Sequence, residues 1–316
     1  MEWYWILLLA LGAFVALYTL LCYFVARYVL KAATTPVAHT LDEARAYQAE
    51  HENFDFTDYD TVWRKEKFEV DGVHGKVRGE LVFNDCCEGR KKVVIVCHGH
   101  TWNRINSLKY AKIFYDKGYN VVLYDHCYFG ESDGTFTSLG GYEQYDLNVI
   151  FDLVREKFGK DALVGLHGES MGAATVLLEL GLRHDVDFVV ADCPFSDTMV
   201  YYREICLRST HLPGFPIVDM ANSMSIRKYG YDFRKVSPIK AVAQSTTPIC
   251  FIHGKADKFI YPSHSKKMKA VSSSPLSELH LIDGAEHARS YQKDSCEYAK
   301  VVNEFLDKVE KANNFG

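Results

Sequence analysis

The amino-acid sequence predicts an α/β fold, with a doubly wound, mostly parallel sheet, behind a single membrane helix. From residue 66 onward, apolar runs rich in β-branched residues alternate with amphipathic segments, which is typical of parallel strands joined by helices. A serine between two glycines, in "GESMG", stands where one such strand gives way to a helix. Residues 3–26 carry no charge, and about 20 apolar residues are enough to cross a bilayer.

The totals indicate a globular protein and exclude several function classes. Of the 316 residues, 48% are hydrophobic and 24% are charged, and the formal net charge is -5. Because no basic run is present, we expect no nucleic-acid partner. Nine cysteines form an odd number, and Cys97, Cys193 and Cys250 end apolar runs, so free thiols in a reducing compartment are expected. The vicinal pair Cys86 and Cys87 lies in a predicted loop without a metal-binding pattern beside it.

The N-terminal segment, residues 1–31, is predicted to be an uncleaved transmembrane anchor. A cleaved signal peptide is the alternative, but the chain has no basic stretch before the apolar run and no clear cleavage site after it. Arg27 and Lys31 follow the run and Glu2 precedes it, so the positive-inside rule places the downstream domain in the cytoplasm. Residues 32–65 are expected to form a linker with one short helix, "LDEARAYQAE".

Residues 66–316 are predicted to form one α/β domain. "KFEV" and "KVRGELVF" look like a hairpin, and the unalternating run "KKVVIVC" looks like the first buried strand. Further strands are expected at "NVVLYD", "ALVGLH", "DFVVAD", "PICFIHG" and "SELHLI". Helices are expected at residues 107–119, 142–159, 171–182, 263–271 and 292–311.

One segment, at about residues 195–245, is longer than a single crossover helix requires and is rich in Tyr, Met and Phe. It is predicted to be a small helical cap, either a lid over a site or ordinary packing. Its Tyr201, Tyr202 and Phe215 are candidates for lining a substrate pocket, as is Tyr128 in an earlier loop.

The "GESMG" stretch is the strongest chemical signal. Short glycine patterns are weak alone, but small residues directly between a strand and a helix allow a turn that lifts the serine hydroxyl above the sheet. Ser170 is therefore the predicted nucleophile.

A serine hydroxyl needs a base, and the base needs a carboxylate to orient it. Asp257 follows one late strand and His287 follows the next, so both loops are expected at the same sheet edge as Ser170. The resulting order Ser, Asp, His is that of the hydrolase arrangement. Asp283 and Glu286 are the competitors of Asp257.

Donors for an oxyanion are expected from two backbone N–H groups. One is that of Met171, which follows the nucleophile, and the second is that of His100, with Thr101 as the alternate. His98 and His100 could suggest a metal, but without an HExxH pattern or a carboxylate partner none is predicted.

Together, "CHGH", "YDHCYFGESDG", "GESMGAAT", "IHGKADKFI" and "GAEH" resemble the serine α/β-hydrolase superfamily over residues 66–306. Within it the chain looks most like bacterial membrane-anchored α/β-hydrolase-domain proteins similar to the acylaminoacyl-peptidase group. The resemblance implies a sheet of about eight strands, action on ester, thioester or amide bonds, and no cofactor. The chain departs from many relatives at Cys127 and Tyr128, where "DxRGxGxSxG" is common, and that loop borders the expected site.

The function predicted from these motifs is hydrolysis of carboxylic esters through an acyl-enzyme. A peptidase, amidase or thioesterase with the same triad is the alternative. A membrane-tethered binding protein without activity is a third hypothesis, which the joint presence of nucleophile, acid, base and oxyanion loop disfavours. The expected partners are a small acyl ester or a short peptide, and the membrane.

Overall fold

A computed structural model describes residues 2–85 and 91–315. Its central feature is the predicted eight-stranded sheet, in the order β1-β2-β4-β3-β5-β6-β7-β8. Strands β1 and β2 form an antiparallel hairpin, and β2 pairs antiparallel with β4. The other six strands, β3 to β8, are parallel to one another. The strands are β1 (Arg64–Gly72), β2 (Gly75–Phe83), β3 (Lys92–Cys97), β4 (Asn120–Tyr124), β5 (Leu163–Glu169), β6 (Phe188–Asp192), β7 (Ile249–Gly254) and β8 (Glu278–Ile282). The predicted fold class is confirmed; the Cys86–Cys87 pair lies outside the described residues.

Helices cover both faces of this sheet. They are α1 (Trp3–Thr34), α2 (Leu41–His51), α3 (Leu108–Asp116), α4 (Glu143–Phe158), α5 (Met171–Glu179), α6 (Thr198–Thr210), α7 (Gly214–Tyr229), α8 (Pro238–Gln244), α9 (Ser263–Val271), α10 (Ser290–Lys293) and α11 (Ser295–Ala312). Along β3, Val94 and Val96 face a core with α3 and α11, whereas Val93 and Ile95 face a core with α4, α5, α8 and α9. This alternation of two apolar faces explains why the strand sequence shows an unbroken apolar run.

The terminal helix begins three residues later than the sequence predicted. Asp294 accepts a hydrogen bond from the backbone N–H of Glu297 at 2.9 Å. This side-chain cap ends the short α10 and starts α11 at Ser295.

Helix α1 is long and apolar, with a mean hydropathy of 2.4 and only 6% of its most apolar window buried. Its side chains are exposed from Trp3 to Leu17. From Tyr18 onward it packs against the rest of the protein, and its buried positions include Cys22, Ala26 and Ala33. The helix therefore has a free apolar part and a part built into the domain.

The segment expected to be a linker, residues 32–65, is packed against the domain instead. Thr40 and Glu43 form a reciprocal capping box that starts α2. Ala44 and Gln48, one turn apart, are both fully buried, and Gln48 Nε2 donates to the carbonyl of Asn106 at 2.8 Å. Burial of one face by a helix of such polar composition depends on long-range contacts, which sequence periodicity does not show.

The cap, formed by α6, α7 and α8, lies between β6 and β7. Its core is continuous with the buried face of α1, because Cys22 and Ala26 share one apolar cluster with Tyr202 and Ile217 of the cap. Met171 of α5 belongs to the same cluster. The cap, the N-terminal helix and the start of α5 are thus packed as a unit.

Candidate active site

The strand-to-helix turn at Ser170 is tight and strained. Ser170 has φ 54° and ψ -109°, a conformation that costs energy for a residue with a side chain. A Cβ atom at Gly172 would lie 2.2 Å from the carbonyl oxygen of Cys97, and one at Gly168 would lie 2.3 Å from the backbone of Gly172. The two glycines are therefore required by close backbone approach, and the turn presents the serine side chain above the sheet.

Ser170, His287 and Asp257 form one hydrogen-bonded chain. The Ser170 hydroxyl lies 2.9 Å from Nε2 of His287, and His287 Nδ1 lies 2.8 Å from Oδ2 of Asp257. Ser170 follows β5, Asp257 follows β7 and His287 follows β8. These strands are parallel, so the three loops meet at the carboxyl edge of the sheet. The geometry lets His287 accept the serine proton while the carboxylate holds its other nitrogen.

The Asp257 carboxylate is buried and accepts several hydrogen bonds. Oδ1 accepts from the backbone N–H groups of Phe259 at 2.8 Å and Ile260 at 2.9 Å. Burial alone would raise the pKa of Asp257, but hydrogen bonds from His253, His287 and Ile260 outweigh it and hold that pKa well below the usual range. Asp257 is therefore ionised at neutral pH and stabilises a positively charged His287.

Neither of the two competing carboxylates pairs with His287 among the described residues. Asp283 is exposed and pairs with Lys255 at 2.6 Å. Among the described residues, His287 Nδ1 has Asp257 as its carboxylate partner, and Glu286 makes no hydrogen bond to it.

The N-terminus of α5 offers free backbone donors beside Ser170. The N–H of Ala174 makes the first bond inside the helix, to the carbonyl of Ser170 at 3.0 Å. The N–H of Met171 comes before that bond, at the positive end of the helix dipole. It is the residue from which the sequence predicts one oxyanion donor.

The second predicted donor belongs to the loop after β3. His100 and Thr101 line the same cavity as Ser170. The His100 side chain is buried, and burial lowers its pKa to about 4, so its ring is neutral at physiological pH. Its Nε2 has no hydrogen-bond partner among the described residues.

The residues after α1 hold this loop from outside. The N–H of His39 donates to the carbonyl of Thr101 at 2.8 Å. The rings of His39 and Trp102 are stacked, with their centroids 4.1 Å apart. Asn103 Nδ2 donates to the carbonyls of His39 and Thr40, both at 3.0 Å. We call residues 35–40 the strap, because they tie the end of α1 to the loop beside the nucleophile.

A cavity of about 330 Å³ opens next to Ser170. Its walls include side chains that sequence reasoning missed: Tyr47, Glu52, Trp102, Lys109 and Phe259. Phe259 packs on the His287 ring at 4.8 Å, and its place two residues after Asp257 is a sequence signal that could have found it. Tyr47 and Glu52 belong to the polar α2 segment, which carries no such signal.

A buried charge cluster forms one wall of the cavity. Lys109 Nζ lies 2.8 Å from Glu52 and 3.5 Å from Glu169, the residue before the nucleophile. The hydroxyl of Tyr110 donates to Glu169 at 2.5 Å. Beneath them, burial and the nearby Glu169 charge raise the pKa of Asp192 to about 8, so Asp192 is mostly protonated at neutral pH.

None of the four predicted pocket residues lines this cavity. Tyr201 and Tyr202 are buried in the cap core, and Phe215 is 69% exposed at the start of α7. Tyr128 donates its hydroxyl to the carbonyl of Pro36 in the strap at 2.6 Å. Aromatic composition alone does not distinguish a cap core, an exposed position or a contact with the strap from a cavity wall.

One cluster of possible metal ligands falls at the site. Cys193, Asp257 and His287 place ligand atoms within 4.8 Å of one another. Both ring nitrogens of His287 already face Ser170 and Asp257. Burial also raises the pKa of the Cys193 thiol well above its usual value, so it is protonated and a poor ligand. The donor set does not fit a resident metal.

Comparisons with known proteins show the superfamily of the chain. A family model described as "Hydrolase_4: Serine aminopeptidase, S33" matches residues 88–212. The Bacillus subtilis protein YqkD is 41% identical over 221 residues, which cover 68% of this chain and 71% of that protein. The chain belongs to the serine α/β-hydrolase superfamily.

More distant proteins are similar to the chain in fold or in sequence. The structure of the Pyrococcus furiosus esterase Pf2001 matches with a TM-score of 0.65 at 22% identity. The match covers 81% of the present chain and 96% of the esterase chain. The lysophosphatidylserine lipase ABHD12 of Macaca fascicularis is 23% identical over 257 residues, which cover 74% of the present chain and 60% of the lipase.

Proposed function

We propose that this serine hydrolase cleaves carboxylic esters through an acyl-enzyme, with Ser170 as nucleophile, His287 as base and Asp257 as the carboxylate that orients His287. The observation that carries the proposal is the continuous hydrogen-bonded chain of these three side chains, 2.9 Å and 2.8 Å long at its two links. The nucleophile in this chain occupies a strained turn that opens into a cavity.

In the first half-reaction, Ser170 Oγ attacks the acyl carbonyl carbon while its proton moves to His287 Nε2. The carbonyl π bond opens, and its oxygen takes the negative charge, which the N–H groups of His100 and Met171 stabilise. When the intermediate collapses, the bond to the leaving oxygen breaks, and His287 returns the proton to that oxygen. The alcohol leaves and the acyl group stays on Ser170.

In the second half-reaction, water takes the place of the alcohol. His287 removes a proton from water as the hydroxide oxygen attacks the acyl carbonyl. Collapse breaks the bond to Ser170 Oγ, and His287 returns the proton to the serine. No cofactor takes part in either step.

Two similar proteins support an ester substrate by their names, the Pf2001 esterase and the lysophosphatidylserine lipase. The cavity of about 330 Å³ is at the small end of the usual range for ligand pockets. We therefore expect a short acyl group to fit better than a long one.

An aminopeptidase or amidase is the second candidate, favoured by the description of the matching family model. The same triad would act, with His287 protonating a leaving amine, and a thioesterase would differ only in releasing a thiol. Comparing turnover of an acetyl ester, its thioester and its anilide decides among the three.

We further propose that α1 anchors the protein in a membrane with the catalytic domain in the cytoplasm. Arg27 and Lys31 at the end of the apolar run support this orientation. Cys296 is an exposed free thiol. A membrane-impermeant maleimide should modify Cys296 only after lysis of the cells, with Cys296→Ser as control; modification in intact cells would reverse the orientation.

The activity is tested with p-nitrophenyl esters from acetate to palmitate, using the full chain in neutral detergent. We expect Ser170→Ala to lose roughly 10⁴-fold or more in kcat and all labelling by a fluorophosphonate, while Ser295→Ala at an exposed serine keeps both. Labelling that persists in Ser170→Ala would overturn the assignment. A folded wild type that cleaves no ester, thioester or anilide would instead favour the binding-protein hypothesis.

A further inference from the structure

The C-terminal half of α1 packs lengthwise along α7 of the cap. The buried residues of this half of α1 include Cys22, Ala26 and Ala33, which share one apolar cluster with residues of α7. Such small residues allow two helices to approach closely. Tyr23 of α1 lies by Pro216 and Met220, whereas Thr35 lies by Lys228 and Tyr229. The two helices therefore run in the same direction, and α7 follows α1 from its apolar part to its charged end.

The depth of this contact follows from the length of α1. At about 1.5 Å per residue, the free part from Trp3 to Leu17 spans only about 23 Å. The hydrocarbon core of a bilayer is about 30 Å thick. An α1 that spans it must therefore place residues up to about Tyr23 within the core, so that Arg27 and Lys31 fall at the level of the lipid headgroups.

A groove of about 490 Å³ opens between α1 and α7 at this level. Three cationic side chains line it, Arg27 and Lys31 from α1 and Lys228 from α7. Tyr23, Tyr28 and Tyr229 line the same groove, and tyrosine is enriched where a membrane meets water. The apolar floor includes Leu30 and Met224.

The cations of the groove have no carboxylate partner within residues 2–85 and 91–315. None of Arg27, Lys31 and Lys228 takes part in an ion pair there, and no acidic residue lines the groove. The acidic residue of α7, Asp219, lies by the neighbouring cavity and pairs with Arg203 at 3.2 Å. The groove thus presents three positive charges from two different elements with nothing described to neutralise them.

We propose that the groove between α1 and α7 is a binding site for the phosphate headgroup of an anionic membrane phospholipid. Ammonium and guanidinium groups bind phosphate oxygens through charge-assisted hydrogen bonds, and anionic lipids attract basic residues next to a membrane helix. The tyrosines and the apolar floor contact the glycerol and the start of the acyl chains. The bound lipid joins the cap to α1 at the membrane surface.

This site is separate from the active site, because the groove and the cavity at Ser170 share no lining residue. The proposal rests on the proposed membrane anchoring, but it does not rest on ester cleavage. The lipid at this site is a ligand of the cap and α1, distinct from any substrate at Ser170.

The test measures thermal stability of the full chain carrying Ser170→Ala, which prevents turnover of added lipid. The protein in neutral detergent is titrated with short-chain phosphatidylglycerol, phosphatidylcholine or inorganic phosphate, since a ligand of the folded state raises Tm. The groove variant Lys31→Gln/Lys228→Gln is compared with Lys160→Gln/Lys311→Gln. Both control lysines are exposed and lie near the amino ends of the parallel strands. Lys160 comes just before β5, and Lys311 follows Glu310, which pairs with Lys92 at the start of β3.

We expect phosphatidylglycerol to raise Tm of the Ser170→Ala chain and of the control variant, and phosphatidylcholine to have little effect. The half-saturating concentration should rise roughly tenfold or more in the groove variant, and Lys31→Arg/Lys228→Arg should restore it. If the groove and control variants have the same half-saturating concentration of phosphatidylglycerol, the proposed site is wrong. It is also wrong if phosphatidylglycerol raises the Tm of none of the chains. If inorganic phosphate alone reproduces the full rise, the ligand is a soluble anion and the lipid assignment is wrong.

Ester hydrolysis is measured separately on chains that keep Ser170. A lipid effect that depends on the groove, in a protein without ester hydrolysis, would refute only the proposed function. Ester hydrolysis by a protein whose Tm response to lipid is the same in the groove and control variants would refute only the lipid site.

Discussion

His253 Nε2 lies 3.2 Å from Oδ2 of Asp257, the same carboxylate oxygen that faces Nδ1 of His287. His253 is fully buried, and its Nδ1 lies 2.7 Å from the hydroxyl of Ser265. Because Nε2 faces two acceptors, Asp257 and the carbonyl of Ile260 at 2.8 Å, it carries the ring proton and Nδ1 accepts from Ser265. His253 thereby fixes the position of the Asp257 carboxylate.

We predict that His253→Ala lowers kcat for ester hydrolysis about tenfold with little change in KM, because Asp257 loses one of the groups that hold it. Ser265→Ala, which removes only the outer hydrogen bond, should have a smaller effect. Steady-state kinetics on soluble esters measure both. If His253→Ala changes KM and leaves kcat intact, His253 does not position the carboxylate.

Asp257→Asn tests the carboxylate itself. The amide cannot stabilise a charged His287 and favours the wrong ring tautomer, so kcat should fall by roughly 10⁴-fold. Asp283→Asn, at the exposed carboxylate that pairs with Lys255, is the matched control and should keep wild-type kcat. A large loss in the control and a small one in Asp257→Asn would exchange their roles.

The strap is tested by Asn103→Ala. The fully buried Asn103 side chain donates to His39 and Thr40 and accepts from the N–H of Ile105 at 3.1 Å. Its loss should lower the free energy of unfolding by about 2–3 kcal/mol. Because the strap also holds Thr101 next to the oxyanion donors, we expect kcat to fall about tenfold in protein that is still folded by circular dichroism; an unchanged kcat would separate the strap from catalysis.

Lys109 neutralises two buried carboxylates, so its removal should be costly. Lys109→Met leaves Glu52 and Glu169 unpaired, with side chains only 2% and 5% exposed, and should lower the free energy of unfolding by about 3–5 kcal/mol. The double variant Lys109→Met/Glu52→Leu removes one of those charges and should recover part of the loss. Urea unfolding measures both; no recovery in the double variant would contradict the electrostatic explanation.

Glu179 predicts a pH dependence of stability. Its side chain is fully buried with neither carboxylate oxygen hydrogen-bonded within the described residues, and burial raises its pKa to about 8. The unfolded chain releases this proton near pH 4.3, so between about pH 4 and pH 8 the folded state holds a proton that the unfolded state lacks. Its contribution to the unfolding free energy is therefore full below this window and falls as pH rises through it.

Glu179→Gln removes this titration. The Tm of the variant relative to wild type should rise by at least about 2 °C between pH 5 and pH 8. A Tm difference that stays constant over this range would show that Glu179 is ionised in the folded protein.

The parts of the site that sequence predicts are those fixed by the ends of strands. Ser170, Asp257 and His287 come after the strands β5, β7 and β8, and parallel strands bring their carboxyl ends to one edge of the sheet. Gly168 and Gly172 mark the tight turn because no side chain fits there. Local pattern and sheet topology together are enough for this much.

The cavity walls and the cap depend on contacts far apart in the chain. Glu52 reaches Lys109 across 57 positions, and nothing in the polar α2 sequence indicates a carboxylate beside the nucleophile. Tyr201 and Tyr202 were plausible wall residues by composition, but packing against Phe195 and Phe233 places them in the cap core. Small residues in α1 gave no sign of a helix partner, since they also suit a helix surrounded by lipid.

The strap limits how α1 can move relative to the loops around Ser170. Within a few residues of the end of α1, the carbonyls of Thr34 and Pro36 accept from Thr137 and Tyr128, and His39 donates to Thr101. These bonds fix the end of α1 to the loops around Ser170. The mouth of the cavity therefore keeps one orientation relative to the axis of α1. In the membrane anchoring that we propose, every molecule thus presents Ser170 at the same height and to substrates from the same direction.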